Sequence, residues 1–293
     1  MANEEWGGPR HAKPRLVRNM SREPTPSSLP STLYTEDYFL TACEGYQEFV
    51  ESHGEHLSRR LAAAFAVASV EPGTRVLDVG CGRGEILRHC AHLGARAYGI
   101  DYAEAAVRMS REMVRSESSA AGQVPIGVYR ADAKSLPYPD AVFDRVLMFD
   151  VVEHLFPWEL DAALEEVRRV LRPGGMVAIH TAPNRWYDQY AYPVVRLVRR
   201  AQGRGAAYPK NPRALNVAAN VDVHVNEQDL LSLRRYLRRA GFERVQVWLE
   251  SPPQSRRESR FFAVLRRIVF DVPPFRWFFE REVFAVGVKA ERS

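Results

Sequence analysis

The sequence has few cysteines and no long apolar run. Three cysteines, Cys43, Cys81 and Cys90, occur among 293 residues. They have neither the spacing of a metal-binding motif nor the even number of a disulfide framework, which indicates a reducing cytoplasm. No stretch reaches the roughly 18 uncharged apolar residues that a membrane span needs. The polar N-terminus lacks the apolar core of an export signal, and no internal repeat is visible.

Composition and patterning divide the chain into three parts. Hydrophobic residues make up 46% and charged residues 26%, as in soluble globular proteins. Residues 1–30 mix Pro, Ser, Gly, Arg and Asn with few aliphatic side chains, which predicts a flexible N-terminal tail. Residues 31–70 carry aromatic and aliphatic side chains at helical spacing, which predicts a helical cap. The remainder, 71–293, forms the main domain.

From residue 74 onward, short β-branched runs alternate with amphipathic helical stretches. The predicted strands are Arg75–Val79, Arg96–Ile100, Ile126–Tyr129, Arg145–Phe149, Met176–His180, Arg244–Leu249 and Val283–Val288. Helices are predicted at Glu85–Leu93, Ala103–Ser116 and Glu159–Leu171. This alternation predicts an α/β fold, a Rossmann-like doubly wound sheet of seven mostly parallel strands with its ligand at the carboxyl ends. Insertions at 184–223 and 251–280 are expected to form a lid or a substrate pocket.

The strongest motif is a glycine-rich turn after the first strand, within Val76–Gly84. Its spacing is G-x-G-x-G, and Glu85 occupies the last glycine position of the dinucleotide pattern G-x-G-x-x-G. Asp78 precedes the first glycine by two residues, where a buried acid suits a cationic ligand better than a pyrophosphate. Asp101 ends the second strand, where a carboxylate can accept hydrogen bonds from both ribose hydroxyls. The alternative is that the glycines only make a tight turn.

These pieces together resemble the class I S-adenosylmethionine-dependent methyltransferases, in particular the branch that includes ubiquinone- and menaquinone-biosynthesis enzymes. The resemblance covers roughly residues 70–289. The matching segments, in chain order, are Leu77–Gly84, Gly99–Asp101, Ala131–Ala133, Phe143–Val146, Val152–Leu155, Leu171–Gly175 and Ala240–Phe242. The resemblance implies S-adenosylmethionine as the cofactor and methyl transfer as the reaction.

The resemblance also implies ten cofactor-binding residues. They are Tyr38, Asp78, Gly80, Gly82, Gly84, Asp101, Tyr102, Asp132, Ala133 and Phe149. The acid of the first strand and the loop glycines would hold the methionine part, and the acid ending the second strand would bind the ribose. Tyr102 would pack on the adenine, whose edge would meet Asp132 and the backbone N–H of Ala133. A simple turn or cap role is the alternative for Asp132.

Methyl transfer from a sulfonium is an in-line displacement, so the protein mainly aligns the reacting atoms and excludes water. Tyr34 and Tyr38 are expected either to stabilise the sulfonium with their aromatic faces or only to pack. Phe149 and Asp150 would line the wall near the methyl donor. A plain core position is the alternative for Phe149.

Two histidines are candidates for the general base that many acceptors need. His154 follows the fourth strand, and His224 precedes a helix predicted at Asn226–Ala240. The unperturbed pKa of histidine, roughly 6.5, suits proton removal near neutral pH, and a structural role is the alternative for His154. His180, inside the fifth strand, is expected to be a hydrogen-bonded core or wall residue. Glu153 is expected to cap or to form a salt bridge, and the alternative is a general base for a carbon acid. No metal site is predicted.

The acceptor is inferred from charge and aromatic content. Between Pro193 and Arg213 there are six basic residues and no acidic one: Arg196, Arg199, Arg200, Arg204, Lys210 and Arg213. Further arginines at 256–267 precede an aromatic segment at 270–279. These features fit a small-molecule acceptor that is anionic and partly apolar, such as a lipid-linked sugar, an isoprenoid diphosphate or an acidic natural product. The alternatives are an anionic membrane surface, a homodimer interface, or a solvated basic face over core aromatics.

Two other function classes stay open. The first is an NAD-dependent oxidoreductase, against which Glu85 and Asp78 argue. The second is a non-catalytic cofactor-binding protein, against which the intact glycine loop, Asp101 and Asp132 argue. Nucleic acid is not indicated as a partner, because no RNA-binding domain and no aromatic RNP-like strand is visible.

Overall fold

The computed structural model describes residues 28–43, 45–117, 126–215, 217–250 and 272–291. Most of the tail predicted at 1–30 and most of the insertion predicted at 251–280 lie outside the described residues. Nothing in the structure therefore bears on those two predictions as a whole.

Seven strands in the described ranges form one sheet. They are β1 (Arg75–Val79), β2 (Arg96–Asp101), β3 (Ile126–Arg130), β4 (Phe143–Phe149), β5 (Leu171–Thr181), β6 (Phe242–Leu249) and β7 (Val283–Lys289). Their order is β3-β2-β1-β4-β5-β7-β6, and β7 runs antiparallel to both of its neighbours while the other pairs are parallel. The predicted Rossmann-like, mostly parallel sheet is confirmed.

Helices cover both faces of this sheet. Within the described residues they are α1 (Glu36–Thr41), α2 (Tyr46–Ser52), α3 (Arg59–Val67), α4 (Glu85–His92), α5 (Glu104–Glu117), α6 (Pro157–Val170), α7 (Tyr192–Ala201), α8 (Asn220–Val223), α9 (Leu230–Arg239) and α10 (Phe275–Phe279). None of these described helices is long and apolar enough to cross a membrane.

Alternation along β1 produces the two cores. Leu77 and Val79 pack into a buried cluster with residues of α6 and α9. Val76, which points to the opposite face, packs into a second cluster with residues of α3 and α4. Because successive side chains of a strand face opposite sides, an apolar strand between two helical layers buries both faces.

The sheet order reverses at β1, which pairs with β2 on one side and with β4 on the other. The chain segments that follow β1 and β4 therefore diverge at the carboxyl edge. A crevice at such a switch point is where open α/β sheets bind their ligands. The residues of interest collect at this crevice.

One helix begins later than predicted. The pattern predicts a helix from Asn226, but α9 begins at Leu230, because Asp229 caps it by accepting the N–H groups of Leu231 and Ser232 at 2.8 Å each. The N–H of Asn226 instead donates to the carbonyl of Glu153 at 3.1 Å. This backbone contact holds the segment before α9 against the loop that follows β4.

Candidate cofactor and acceptor sites

The glycine loop has the backbone geometry that its sequence predicts. Gly80 has a φ of 76°, and a Cβ there would lie 2.5 Å from Cγ2 of Val151. Gly84 has a φ of 91°, and a Cβ there would lie 3.1 Å from the hydroxyl of Ser110 on α5. Glycine is therefore required at both positions, for the turn at Gly80 and for helix packing at Gly84.

A cavity of about 360 Å³ lies at the carboxyl ends of β1, β2 and β4. Nine of the ten predicted cofactor residues line it: Tyr38, Asp78, Gly80, Gly82, Asp101, Tyr102, Asp132, Ala133 and Phe149. Gly84 does not line the cavity, because it faces Ser110 instead. The structure thus brings together residues from five separate segments of the chain.

Two buried carboxylates lie in this cavity. Burial, together with the nearby charges of Asp101 and Glu85, raises the pKa of Asp78 to about 8. Burial also raises the pKa of Asp101 to about 6, against the opposing effect of backbone N–H groups. The carboxylate of Asp101 accepts from Ala103 N at 2.9 Å and from Gly82 N at 3.2 Å. A cationic ligand would stabilise the ionised forms, so the donor set fits a molecule with an ammonium or sulfonium group.

Arg83, inside the glycine loop, is a residue that the sequence analysis missed. It is 2% exposed, and its guanidinium makes two hydrogen bonds of 3.0 Å to the carboxylate of Glu85. It also donates to the carbonyl of Phe39 at 2.7 Å and lies 5.1 Å from the ring centre of Phe49. Arg83 therefore connects the loop to α2 and to α1, whose Tyr38 and Phe39 line the cavity. The opposite charges of Arg83 and Glu85, two residues apart in the motif, are the sequence feature that could have predicted this ion pair.

Aromatic rings from the N-terminal segment close the cavity. Tyr34 is 8% exposed, and its ring centre lies 5.2 Å from Tyr38, 5.5 Å from Tyr102 and 5.5 Å from His154. Burial raises the pKa of both Tyr34 and Tyr38 above the usual range, so both phenols are neutral. This arrangement encloses the cavity with aromatic groups from two distant parts of the chain.

Asp132 lies at the more open end of the cavity, with its side chain 45% exposed. Its carboxylate accepts from the backbone N–H of Lys134 at 2.9 Å and pairs with the ammonium of Lys134 at 2.9 Å. The same ammonium lies 2.8 Å from Glu159. Asp132 thus makes the cap that was the alternative role while it also lines the cavity.

A buried ionic network lies behind the end of β4. The carboxylate of Asp150 lies 2.8 Å from Arg60 and 2.8 Å from Nδ1 of His180, and Nε2 of His180 lies 2.8 Å from Glu282. Burial lowers the pKa of His180, but the charge and hydrogen bond of Asp150 and the hydrogen bond of Glu282 outweigh it and raise the pKa to about 9. His180 is fully buried and carries a proton that it cannot easily exchange for catalysis.

The two candidate bases, 70 positions apart in the sequence, are neighbours in the fold. The ring centres of His154 and His224 are 4.9 Å apart. Nδ1 of His154 donates to the carbonyl of Val223 at 3.0 Å, which leaves Nε2 as the acceptor nitrogen. Burial lowers the pKa of both imidazoles, and for His224 burial and the neighbouring His154 bring the pKa to about 3.

A second, smaller chamber of about 90 Å³ adjoins the cofactor cavity. Four residues line both spaces: Tyr38, Cys43, Asp150 and His154. The chamber is lined in addition by Ala42, Arg60, Glu153, Ala182, Pro183, Val217, Asn220, His224 and Arg281. The six basic residues predicted to form the acceptor pocket, at 196–213, do not line either space in the described part of the chain. The first insertion contributes instead through Val217 and Asn220.

Polar groups dominate the chamber. Burial and the charge of Asp150 raise the pKa of Glu153 to about 8, and its carboxyl group accepts from the hydroxyl of Thr181 at 2.8 Å. Nε of Arg281 is buried and has no hydrogen-bond partner among the described residues. The chamber therefore offers a hydrogen-bonding site for a small polar group.

Glu153, His154 and His224 are the described residues that approach the arrangement of a metal site, with ligand atoms within 4.8 Å of one another. Nδ1 of His154 already donates to the carbonyl of Val223. One carboxyl oxygen of Glu153 already accepts from Thr181. We therefore assign no metal to this group.

Comparison with known proteins agrees with this geometry. The family described as "Methyltransferase domain" matches residues 77–179. The ubiquinone/menaquinone biosynthesis C-methyltransferase UbiE of Cupriavidus pinatubonensis is 29% identical over 193 residues, 62% of this chain and 73% of the relative. A "Probable S-adenosylmethionine-dependent methyltransferase" of Mycolicibacterium smegmatis is 32% identical over 171 residues, 58% of this chain and 52% of the relative.

A solved structure shows the same fold. The S-adenosylmethionine-dependent methyltransferase of Archaeoglobus fulgidus has a TM-score of 0.53 and 19% identity, covering 83% of this chain and all of that one. The family match and the curated relatives support a methyltransferase that uses S-adenosylmethionine, in agreement with the cavity, and the solved structure shows the same fold. The UbiE relatives are similar to this chain along the segments that the sequence motifs pointed to. This similarity argues against the alternative of an NAD-dependent oxidoreductase.

Proposed function

We propose that the enzyme methylates a small-molecule acceptor whose reacting group enters the chamber next to the cofactor cavity. The observation that carries this proposal is the shared wall, because Asp150 and His154 line both spaces. A methyl donor in one space and a nucleophile in the other would then meet at this wall. The aromatic rings of Tyr34 and Tyr38 would exclude water from the meeting point.

The cofactor would be held by the carboxylates and the backbone of the cavity. We assign the ammonium of the methionine part to Asp78, with Gly80 and Gly82 allowing the close approach that their φ angles permit. Asp101 is assigned to the ribose hydroxyls, and Tyr102, Asp132 and Ala133 to the adenine. When bound, S-adenosylmethionine supplies a methyl group that its sulfonium has already activated.

His154 is the proposed general base. Its Nδ1–H is fixed on the carbonyl of Val223, and Nε2 is left to accept a proton from the acceptor. His224, with a pKa of about 3, would hold a proton poorly at neutral pH. We therefore propose that His224 positions the acceptor and His154 removes its proton.

The acceptor is proposed to carry a small polar or singly anionic head group. Asp150 and Glu282 are balanced by Arg60 and His180, so Arg281, with its unpartnered Nε, is left to meet an acidic or hydroxyl oxygen. A natural product or a lipid or glycan intermediate of this kind fits. The relatives named as ubiquinone/menaquinone biosynthesis C-methyltransferases favour an acceptor from quinone biosynthesis that is methylated at carbon.

The cytoplasm is the proposed compartment. Cys43, Cys81 and Cys90 are all free thiols, and Cys81 and Cys90 are buried. Free thiols in this number support a reducing environment.

Calorimetric titration with S-adenosylmethionine and S-adenosylhomocysteine tests the cofactor assignment. We expect micromolar binding to the wild type and a loss of about tenfold or more in Asp101→Ala, because a charge-assisted hydrogen bond is worth about 1.5–3 kcal/mol. Asp140→Ala, whose side chain is 75% exposed, serves as the control and should bind normally. A wild type that binds neither compound contradicts the proposal.

A further inference from the structure

The helical segment that follows β5 exposes apolar side chains along one face. Val194, Leu197 and Val198 of α7 are 53%, 70% and 49% exposed. Their spacing of three and four residues places them within an arc of about 100° on the helix. Tyr190, 58% exposed, continues the face toward the N-terminal side.

A second element extends this apolar face. Phe275 and Trp277 of α10 are 48% and 43% exposed. Between α7 and α10 lies an open groove of about 540 Å³, lined by Trp186, Tyr190, Ala191, Val194, Phe278 and Phe279. The ring of Phe278 joins the two elements, with its centre 5.6 Å from Tyr190 and 5.9 Å from Trp186. We call this surface, from residues 186–198 and 275–279, the apolar face.

The helix that carries the apolar face is also rich in positive charge. No acidic residue occurs between Gln189 and Leu215. Among the described residues, four arginines there form no ion pair with a carboxylate: Arg196, Arg199, Arg200 and Arg204. Arg196 donates to the carbonyl of Tyr208, and Arg199 to the side chain of Gln202. The charge of this region is therefore not neutralised by the protein.

We infer that the apolar face docks on an anionic phospholipid surface. An exposed aliphatic stripe with aromatic residues and uncompensated arginines matches a bilayer interface, where acyl chains receive the stripe and lipid headgroups neutralise the cations. The four arginines at 196–204, which have no acidic residue between them, favour an anionic surface. The basic residues at 196–204, which do not line the acceptor chamber, would contact lipid headgroups in this arrangement.

The position of the face agrees with this inference. Arg281, which lines the chamber, lies with its guanidinium 5.2 Å from the ring centre of Tyr187, one residue after Trp186 of the groove. The groove and the chamber are thus linked through the contact between Tyr187 and Arg281. The docking itself requires neither the acceptor nor methyl transfer.

Sedimentation with lipid vesicles tests the inference without any acceptor. We expect the full chain to bind vesicles of phosphatidylcholine with roughly a third of phosphatidylglycerol, and to remain in solution with phosphatidylcholine alone. The double variant Arg199→Glu/Arg200→Glu should reduce binding roughly tenfold or more, because each basic residue near such a surface contributes about fivefold. Leu197→Glu/Val198→Glu should reduce it as well.

Two exposed residues away from the face provide matched controls. Val50→Glu on α2, at a side chain 55% exposed, and Arg96→Glu at the start of β2 should leave vesicle binding unchanged. Equal binding to neutral and anionic vesicles, or unchanged binding by both double variants, overturns the inference. A dimer in sedimentation velocity that Leu197→Glu/Val198→Glu dissociates would also overturn it, because a second copy would then cover the face.

Discussion

The cofactor cavity and the acceptor chamber share a wall, but their charges are balanced in different ways. In the cavity, Asp78 and Asp101 are buried carboxylates with raised pKa values. Beside the chamber, whose wall includes Arg60 and Asp150, the carboxylates of Asp150 and Glu282 are each paired with both Arg60 and His180. The cations that line the cavity, Arg83 and Lys134, pair with Glu85 and Asp132, so a cationic ligand would supply the charge that Asp78 and Asp101 lack. The carboxylates of the network already have cationic partners within the protein.

The cavity should therefore govern ligand binding, and the ionic network should govern the stability of the fold. Ligand binding should change the protonation of the cavity, because a cation favours ionised carboxylates. The network behind the chamber should instead determine whether the protein stays folded, because a buried charge that loses its partner is strongly destabilising. Substitutions in the two regions should accordingly affect different measurements.

The largest expected effect on stability comes from the network. His180→Ala removes the cation between Asp150 and Glu282 and should destabilise the fold by about 3–5 kcal/mol, the range for breaking a buried ion pair. Chemical denaturation of both proteins measures this change. His56→Ala, at an exposed histidine, is the control and should unfold like the wild type.

The network also predicts a pH dependence of stability. The pKa of His180 is raised to about 9 in the folded protein, above its unfolded value of about 6.5. Its contribution to the free energy of unfolding is therefore full below pH 6.5 and is lost as the pH rises through 9. Stability of the wild type should fall over this window, and a difference between wild type and His180→Ala that stays constant with pH would contradict the assignment.

The next effect concerns the shared wall. His154→Asn should lower kcat about a hundredfold or more, the typical contribution of a general base, while the affinity for S-adenosylmethionine stays the same. His224→Asn should act mainly on the KM of the acceptor. The rate of S-adenosylhomocysteine formation with an acceptor found by screening measures both. Equal losses of kcat in the two variants would contradict the division of roles.

A smaller effect concerns the proton that Asp78 should release when a cationic ligand binds. With a pKa of about 8, Asp78 is mostly protonated at pH 7 in the free protein, and a cationic ligand should drive its ionisation. Calorimetry at pH 7 in buffers of different ionisation enthalpy should therefore detect proton release on binding. Asp78→Asn should bind more weakly and release no proton at this site. Unchanged release in that variant would assign the proton to another group.

The same contrast explains what the sequence could predict. The sheet, the glycine loop and the position of Asp101 follow from local rules, since strand alternation and turn geometry are set within a few residues. The cavity is built mainly from such local features. Nine of the ten predicted cofactor residues line the cavity, whereas Gly84 packs against Ser110 on another helix, a contact that the local sequence does not specify.

The chamber depends on contacts between distant segments. Arg60, Asp150, His180 and Glu282 meet only when α3, β4, β5 and the start of β7 have packed together. The spacing of these residues in the sequence does not specify which charged side chains will form ion pairs with one another. The start of α9 was misjudged for the same reason, because the backbone before Asp229 is bound to Glu153, far away in the chain.

The smallest expected effect compares the two ends of the cofactor cavity. Asp132→Asn should weaken S-adenosylmethionine binding by roughly twofold to tenfold, because one hydrogen bond is worth about 0.5–1.5 kcal/mol and this side chain is partly solvated. The loss should be smaller than in Asp101→Ala, whose carboxylate is buried. Calorimetry on both variants gives the ratio. If Asp132→Asn proved the more damaging change, the adenine end would govern affinity, and the contrast between an exposed and a buried carboxylate would have to be reversed.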